Sequence, residues 1–363
     1  MRLITSLLLY CLFCSASAQS DSLQLRKIYD EALVEGHAYE NLRQLCKNVG
    51  NRLSGSEGAA QAVKWSEAKM QSYGFDEVWL ESVMVPKWVR GEAEKCYLLP
   101  DSTELDVLAL RFSVGTEDFL RSGVVEFDTI QALRDAPEGS LNGKIAFLNQ
   151  AMNAKLINTF QAYGGCSGGR VRGPSVAAEK GAVGFLMRSL GLRADDFPHT
   201  GVMYYSEETD SIPALALSTN SAYALSQALQ KSEKTEVVIK ANCEFHPDVE
   251  SYNVVGQITG SEFPNKVITV GGHLDSWDVG EGAHDDGAGV IQSLEVVRLF
   301  KALNIQPRHT IRCVFFMNEE NGARGGKAHA RYCQERGDQH LMAMESDRGG
   351  FTPRGFTLDG TSA

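Results

Sequence analysis

The segment KVITVGGHLDSWDVGEGAHDDG, residues 266–287, decides the fold of this chain. Its first seven residues, 266–272, form a short apolar run that is typical of a strand buried inside a parallel sheet. His273 and Asp275 follow at the end of that strand, and Asp285 lies in the glycine-rich loop before the next helix. The segment therefore predicts a strand–loop–helix unit with polar side chains on its loop.

Two further strands and two helices belong to the same pattern. Residues 286–303 show helical periodicity, and residues 309–317 (HTIRCVFFM) form a second apolar run of strand length. Residues 322–336 favour a second helix, and residues 340–344 (HLMAM) favour a third strand. Strands and helices that alternate at this spacing are joined by right-handed crossovers into a parallel sheet, so the sequence predicts an α/β fold.

Six polar side chains follow the predicted strands or lie in the adjoining loop: His273, Asp275, Asp285, Glu319, Glu320 and Asp347. The carboxyl ends of parallel strands meet at one edge of a sheet, where open α/β folds place their sites. Histidine nitrogen and carboxylate oxygen are zinc ligands, and a carboxylate can bridge two ions. Adjacent side chains point in different directions, so one of Glu319 and Glu320 can bind metal while the other takes a proton from water. The spacing leaves open which glutamate does which.

Each of these residues also has a purely structural interpretation. Asp285 or Asp286 could cap the following helix, and the Glu319–Glu320 pair could be solvated. Asp347 could form an ordinary ion pair with Arg348, and Asp275 could be a turn residue. If all these structural interpretations held, the occurrence of acidic and imidazole groups at successive strand ends would be a large coincidence. We therefore predict a metal site. The remaining histidines of this region lack carboxylates at matching positions and are not expected to be ligands: His284, His309, His329 and His340.

The N-terminus and the overall charge restrict where the chain acts and what it binds. Residues 1–18 combine Arg2, an apolar run and a small-x-small site before Gln19, which is typical of a cleaved secretory signal peptide. No later apolar run approaches the roughly 18 to 20 residues of a membrane span. The chain carries a formal net charge of -11, which argues against nucleic acid and anionic membranes as partners. We therefore expect a protein that is secreted or lies in the lumen of the secretory pathway or lysosome.

Residues 113–245 are expected to form a separate α/β module. From about residue 142 the chain consists of short apolar runs that are separated by glycine and proline, with helices near residues 176–180 and 221–230. Before this module, Ser56 followed by residues 57–74 predicts an N-capped helix, and residues 77–85 predict a strand. Disulfide pairing is left open, and a free buried thiol at Cys313 is at least as consistent with its apolar surroundings as a bridge.

The motifs GGHLDSWDVGEGAHDDGAG, FFMNEENGARGG and ESDRGG resemble those of the M28 zinc peptidases. The resemblance extends from the N-terminal helix and NRLSGSEG to the end of the chain. It implies a mixed, largely parallel sheet with helices on both faces, and a protease-associated α/β domain inserted into the peptidase domain. Residues 19–112 and 246–363 would then be the two parts of the peptidase domain, the second holding the zinc-binding core.

The same resemblance implies a role for each candidate residue. His273 and Asp347 would bind one zinc ion, Asp285 would bridge two ions, and Glu320 would bind the second. Glu319 would be the general base. Asp275, two residues after His273, would orient the imidazole and fix its tautomer.

The family closes its second zinc site with a histidine near the end of the peptidase domain, but here no histidine follows His340. We therefore expect the chain as written to bind the second zinc weakly and to have low activity.

The leading hypothesis is a di-zinc metallopeptidase that hydrolyses dipeptides or the terminal residues of small peptides. A zinc-bridging hydroxide would attack the scissile carbonyl, and a small peptide would be the substrate. One alternative is a non-catalytic binding protein of the same fold, and another is an M28 aminopeptidase. The resemblance also implies a homodimer.

Overall fold

The computed structural model describes residues 21–347 and 349–360, so the predicted signal peptide lies outside the described residues. The chain divides into two compact units: residues up to Pro86 together with those from Asp248 onward, and Lys87–Pro247. Among the described residues, no helix combines the length and the apolar character needed to cross a membrane.

The helices and strands are numbered in chain order. The helices are α1 (21–34), α2 (Ala38–Gln44), α3 (Glu57–Ser72), α4 (Ile130–Asp135), α5 (Thr159–Glu179), α6 (Thr219–Lys231), α7 (Ala288–Ala302) and α8 (Arg324–Arg336). The strands are β1 (Glu77–Val89), β2 (Lys95–Leu98), β3 (Thr103–Glu104), β4 (Val107–Ala109), β5 (Leu120–Phe127), β6 (Ile145–Leu148), β7 (Gly184–Arg188), β8 (Ala214–Leu217), β9 (Glu236–Lys240), β10 (Glu244–Ile258), β11 (Phe263–His273), β12 (His309–Phe316) and β13 (Gln339–Glu345).

The first unit is built on a five-stranded mixed sheet with the order β1-β10-β12-β11-β13. Strand β11 is parallel to β12 on one side and to β13 on the other, whereas β10 is antiparallel to β12. The register places His273 opposite Phe316, so β11 and β12 end at the same level. The prediction of three parallel strands joined through helices is confirmed, and the α/β fold with it.

Helices α3 and α7 of the first unit form where the sequence predicts helices. Ser56 caps α3, and its hydroxyl accepts a hydrogen bond from the Ala59 amide at 3.1 Å. Val290, Leu294 and Val297 of α7 are fully buried in the core against the sheet. Burying each such side chain stabilises the fold by roughly 1.5–3 kcal/mol, which fixes α7 next to β11. Cys313 is a free thiol inside this core.

The second unit contains an eight-stranded sheet with the order β3-β2-β9-β5-β6-β7-β8-β4. Its centre, β5 to β8, is parallel, and the outer strands pair in antiparallel fashion. This unit begins at Lys87 rather than at residue 113, because the short strands β2 and β4 pair with β9 and β8.

Candidate metal centre

Three strand ends deliver the candidate residues to one place in the first unit. His273 is the last residue of β11, the Glu319–Glu320 pair follows β12, and Asp347 follows β13. Asp285 comes from the loop between β11 and α7. The ligand atoms of His273, Asp285 and Asp347 all lie within 4.8 Å of one another. The parallel sheet therefore brings together residues that are separated by more than 70 positions in the sequence.

The carboxylates converge on one nitrogen of the buried His273 ring. His273 Nε2 lies 3.0 Å from Asp285 Oδ1, 3.3 Å from Asp347 Oδ1 and 3.9 Å from Glu319 Oε2. His273 is only 1% exposed, whereas the three carboxylates are about half exposed. The cluster is thus open on the carboxylate side, where a substrate could approach.

The other face of the ring is held by the main chain of Asp275. His273 Nδ1 lies 2.9 Å from the Asp275 carbonyl oxygen, and because a carbonyl can only accept, Nδ1 carries the proton. Nε2 is then the nitrogen that is available to a metal. The Asp275 carboxylate is farther away, with Oδ1 at 3.9 Å from Nδ1, and it accepts instead from the Glu319 amide at 2.9 Å. Asp275 therefore contacts both His273 and the segment that carries the glutamates.

Burial and the nearby charges shift the pKa values of the histidine and the glutamates in this cluster. Burial lowers the pKa of His273, but hydrogen bonds to Asp285 and Asp347 outweigh this and raise that pKa to about 12. Burial, followed by the charge of Asp285, raises the pKa of Glu320 to about 9. Burial also raises the pKa of Glu319, although the charge of His273 opposes this. Without a cation the site favours bound protons, and a divalent cation would replace them.

The donor set fits a zinc ion. Glu320 Oε1 is buried and has no hydrogen-bond partner among the described residues, although a buried carboxylate oxygen normally has one. A metal ion would satisfy this acceptor. One imidazole nitrogen and several carboxylate oxygens on a rigid strand edge are ligands that zinc accepts.

The comparisons with known proteins agree with this geometry. Residues 253–361 match the model of peptidase family M28. Carboxypeptidase Q of Xenopus laevis is 35% identical over 327 residues, which cover 90% of this chain and 68% of the relative. The chain belongs to peptidase family M28. The family relation makes it a metallo-exopeptidase with a peptide substrate.

Solved structures support the same assignment. The M28 peptidase precursor of Shewanella amazonensis SB2B superposes with a TM-score of 0.84 at 39% identity, covering 89% of this chain and 73% of that one. A zinc aminopeptidase of Bacillus subtilis, BSAP, shares the fold with a TM-score of 0.63 at 19% identity, covering 86% of this chain and 68% of that one. The predicted M28 membership and fold are therefore confirmed.

Arg52 is a buried residue beside the cluster that the sequence did not single out. Its fully buried guanidinium donates to the carbonyls of Leu274 at 2.7 Å, Glu281 at 2.9 Å and Gly282 at 2.8 Å. It thereby fixes both ends of the loop that precedes Asp285. No local pattern around Arg52 could have revealed this, because these three carbonyls lie more than 220 residues away in the sequence.

The two neighbouring aspartates have different surroundings. Asp286 is fully buried, and its carboxylate accepts from the His273 amide at 3.1 Å and the Gly289 amide at 3.0 Å. It therefore caps α7 and ties that helix to the end of β11. Asp285, by contrast, faces the His273 ring. The structural interpretation considered for this pair thus applies to Asp286.

A buried polar network supports the segment with the two glutamates. Asn318 Nδ2 donates to Ser54 Oγ at 2.8 Å and also to Asn321 Oδ1, and Ser54 Oγ donates to Asn321 Oδ1 at 3.0 Å. Asn318 and Asn321 flank Glu319 and Glu320 in the chain, so the network limits the movement of this segment.

His329 has a carboxylate neighbour that the sequence does not reveal, since Glu81 Oε2 lies 2.9 Å from its Nδ1 atom. Glu81 lies on β1, so the sequence distance concealed this pair. That the four remaining histidines are not ligands of the His273 centre stays a prediction. Arg348 lies outside the described residues, so its ion pair with Asp347 stays an untested structural alternative.

Proposed function

We propose that this M28 peptidase binds two zinc ions at the His273 centre, the second more weakly because no histidine follows His340, and hydrolyses dipeptides or the terminal residues of small peptides. The observation that carries the proposal is the convergence of Asp285 and Asp347 on His273 Nε2, next to the partnerless Glu320 oxygen. Zinc at this centre would polarise the scissile carbonyl and acidify a bound water.

The proposed ligands divide between two ions. His273 and Asp347 would hold one ion, and Asp285, which lies 3.0 Å from His273 Nε2, would bridge to the second. Glu320 would bind the second ion with the oxygen that lacks a partner. The fixed tautomer of His273 supports this arrangement, because it presents a lone pair on Nε2.

Glu319 would act as the general base. Its carboxylate is about half exposed and lies 3.9 Å from His273 Nε2, so it can reach both the centre and a water molecule. Burial raises its pKa, which increases its affinity for the proton it must accept. The Asp275 carboxylate fixes the Glu319 main chain and so positions the base.

The Glu319→Gln variant tests this function. We expect it to retain the wild-type zinc content, measured by elemental analysis, and to lose about 10²- to 10⁴-fold in kcat on dipeptides. Glu281→Gln is the matched control, because this side chain lies in the same region, is half exposed and pairs with Lys47. An unchanged kcat in Glu319→Gln, or an absence of zinc in the wild-type protein, would contradict the proposal.

The direction of cleavage can be resolved with blocked substrates. A carboxypeptidase or dipeptidase needs the free carboxylate, so amidation of that end should abolish hydrolysis. An aminopeptidase should instead fail when the amino end is acetylated. Mass spectrometry of the products from each blocked dipeptide distinguishes these reactions.

The proposal also includes the location and the second unit. The apolar run and small-residue site in residues 1–18 support secretion or delivery to the lysosome. N-terminal sequencing of the protein that animal cells secrete should then begin at Gln19. The unit Lys87–Pro247 interrupts the chain of the first unit, which supports its assignment as an inserted protease-associated domain.

A further inference from the structure

A second group of metal-ligating side chains lies in the first unit, away from the His273 centre. His329 and Cys333 lie four residues apart on α8, so they share one face of that helix. His340 approaches them from β13, and the ligand atoms of all three lie within 4.8 Å of one another. His329 and Cys333 are 6% and 7% exposed.

The separation of these atoms is close to that of a zinc site. His329 Nε2 lies 3.3 Å from Cys333 Sγ. A tetrahedral ion with Zn–N of about 2.1 Å and Zn–S of about 2.3 Å would separate its nitrogen and sulfur ligands by about 3.6 Å. His340 Nδ1 faces Thr269 Oγ1 at 3.2 Å, which leaves Nε2 of this exposed histidine available to a metal.

A buried carboxylate orients His329 toward the cysteine. Glu81 is fully buried, and its two oxygens lie 2.9 and 3.1 Å from His329 Nδ1. Trp79 Nε1 and Asn253 Nδ2 each donate to Glu81 at 3.2 Å, so the carboxylate is fixed in place. An acceptor on Nδ1 directs the Nε2 lone pair at Cys333. Metal-binding histidines are commonly held by such a carboxylate.

The charges around the cluster suit a divalent cation. Arg312 Nη1 lies 3.7 Å from Cys333 Sγ, but its charge is matched by Asp338 at 2.5 Å. When the thiol gives up its proton to bind a metal, Cys333 and Glu81 place two negative charges next to the His329 ring. A bound zinc ion would neutralise them.

We propose that His329, Cys333 and His340 bind a zinc ion at a site distinct from the peptidase centre. The contact of His340 with Thr269 places the site four residues before His273 on β11, which is about 13 Å of strand. Three protein ligands leave the fourth position to water. The ion would join α8 to the edge strand β13.

Cobalt substitution of the full secreted chain tests this site. The His273 centre offers only nitrogen and oxygen ligands, so a thiolate-to-cobalt charge-transfer absorption reports a cysteine ligand whether or not the peptidase is active. After chelation and reloading with cobalt(II), we expect this absorption in the wild-type protein and in His273→Ala. The absorption should disappear in Cys333→Ser. In His340→Gln, the affinity for cobalt at this site should fall at least about tenfold.

Two matched controls make the result decisive. Cys46→Ser removes another buried cysteine of the same unit, and His309→Gln removes another histidine at a strand start. Both should keep the absorption. His340 is exposed, so His340→Gln tests the site even if Cys333→Ser fails to fold, as monitored by circular dichroism. An absence of the absorption in the wild-type protein, or its persistence in Cys333→Ser and His340→Gln, would overturn the proposal.

Discussion

His273 Nε2 lies 3.0 Å from Asp285 Oδ1. Once a metal ion binds both atoms, neither of them can carry a proton. In the absence of a cation, the contact requires a protonated imidazole, and its carboxylate neighbours raise the pKa of His273 to about 12 despite burial. The pair therefore marks the point at which metal and protons compete.

Zinc should stabilise the fold through His273. A ligand that binds only the native state stabilises it by about 2.7 kcal/mol at a concentration 100 times its Kd. We expect the unfolding midpoint to rise on zinc addition and this rise to be largely lost in His273→Ala. Both proteins should carry Cys333→Ser, so that zinc at the His329 cluster does not contribute. His309→Ala is the control, and an equal zinc response in His273→Ala would refute the role of this nitrogen.

Arg52→Lys should weaken both the fold and the metal centre. Lysine cannot reproduce the planar set of donors that reaches the carbonyls of Leu274, Glu281 and Gly282. We expect a loss of about 2 kcal/mol in the free energy of unfolding, from urea denaturation, because buried carbonyls lose charged donors. Zinc affinity should fall by about 10- to 100-fold, since the loop before Asp285 is less fixed.

The exposed pair Arg43–Glu40 provides the control for this change. Arg43→Lys should keep wild-type stability and zinc affinity. If Arg52→Lys behaves in the same way as Arg43→Lys, the buried arginine does not organise the loop.

Local sequence patterns predict both the central sheet of the first unit and the candidate residues at its edge. Strands β11, β12 and β13 are continuous apolar runs, and each ends in polar residues, so both the sheet and the cluster at its edge were visible in the sequence. Ser56 predicted the start of α3 because a capping hydroxyl acts within three residues.

Other features depend on contacts that no local pattern encodes. Arg52 and Glu81 act on partners that are about 220 and 250 residues away, and a buried charge has no sequence signature. The early start of the second unit escaped prediction because β2 and β4 are only four and three residues long and find their partners far along the chain. The individual roles at the metal centre stay predictions.

Gly272→Ala should increase the distance between β11 and α7. A Cβ atom at this position would lie 2.6 Å from Asp286 Oδ2, 2.6 Å from the Val290 amide nitrogen and 2.7 Å from the Gly289 carbonyl carbon. Two of these are backbone atoms, so the helix must move, at a cost of about 1–3 kcal/mol in unfolding free energy. The shift would also disturb the hydrogen bond that the His273 amide donates to Asp286 and would lower the zinc content.

Gly326 offers a matched substitution on α8. No atom lies within 4 Å of a Cβ built there, so Gly326→Ala should stabilise the protein by about 0.5–1 kcal/mol. Urea denaturation of both variants measures the difference. A stable, zinc-loaded Gly272→Ala protein would show that β11 and α7 tolerate a wider spacing.

The metal-free protein should lose stability as the pH rises from about 5 to about 9. Burial and the charge of Asp285 raise the pKa of Glu320 to about 9, and burial raises that of Asp286 to about 8. Between the ordinary carboxyl pKa and these values, the native state binds more protons than the unfolded chain. Its stability therefore falls with pH, by up to about 1.4 kcal/mol per pH unit for each group.

Urea denaturation in the presence of a chelator, at intervals from pH 5 to pH 9, measures this slope. Glu320→Gln should reduce the slope, because the amide has no proton to lose whereas Asp286 still does, and Glu281→Gln should keep the wild-type slope. Zinc should also flatten it, because the ion replaces the protons and stabilises the ionised carboxylates. A metal-free protein whose stability is constant or rises over this range would show that burial does not hold Glu320 and Asp286 in their protonated forms.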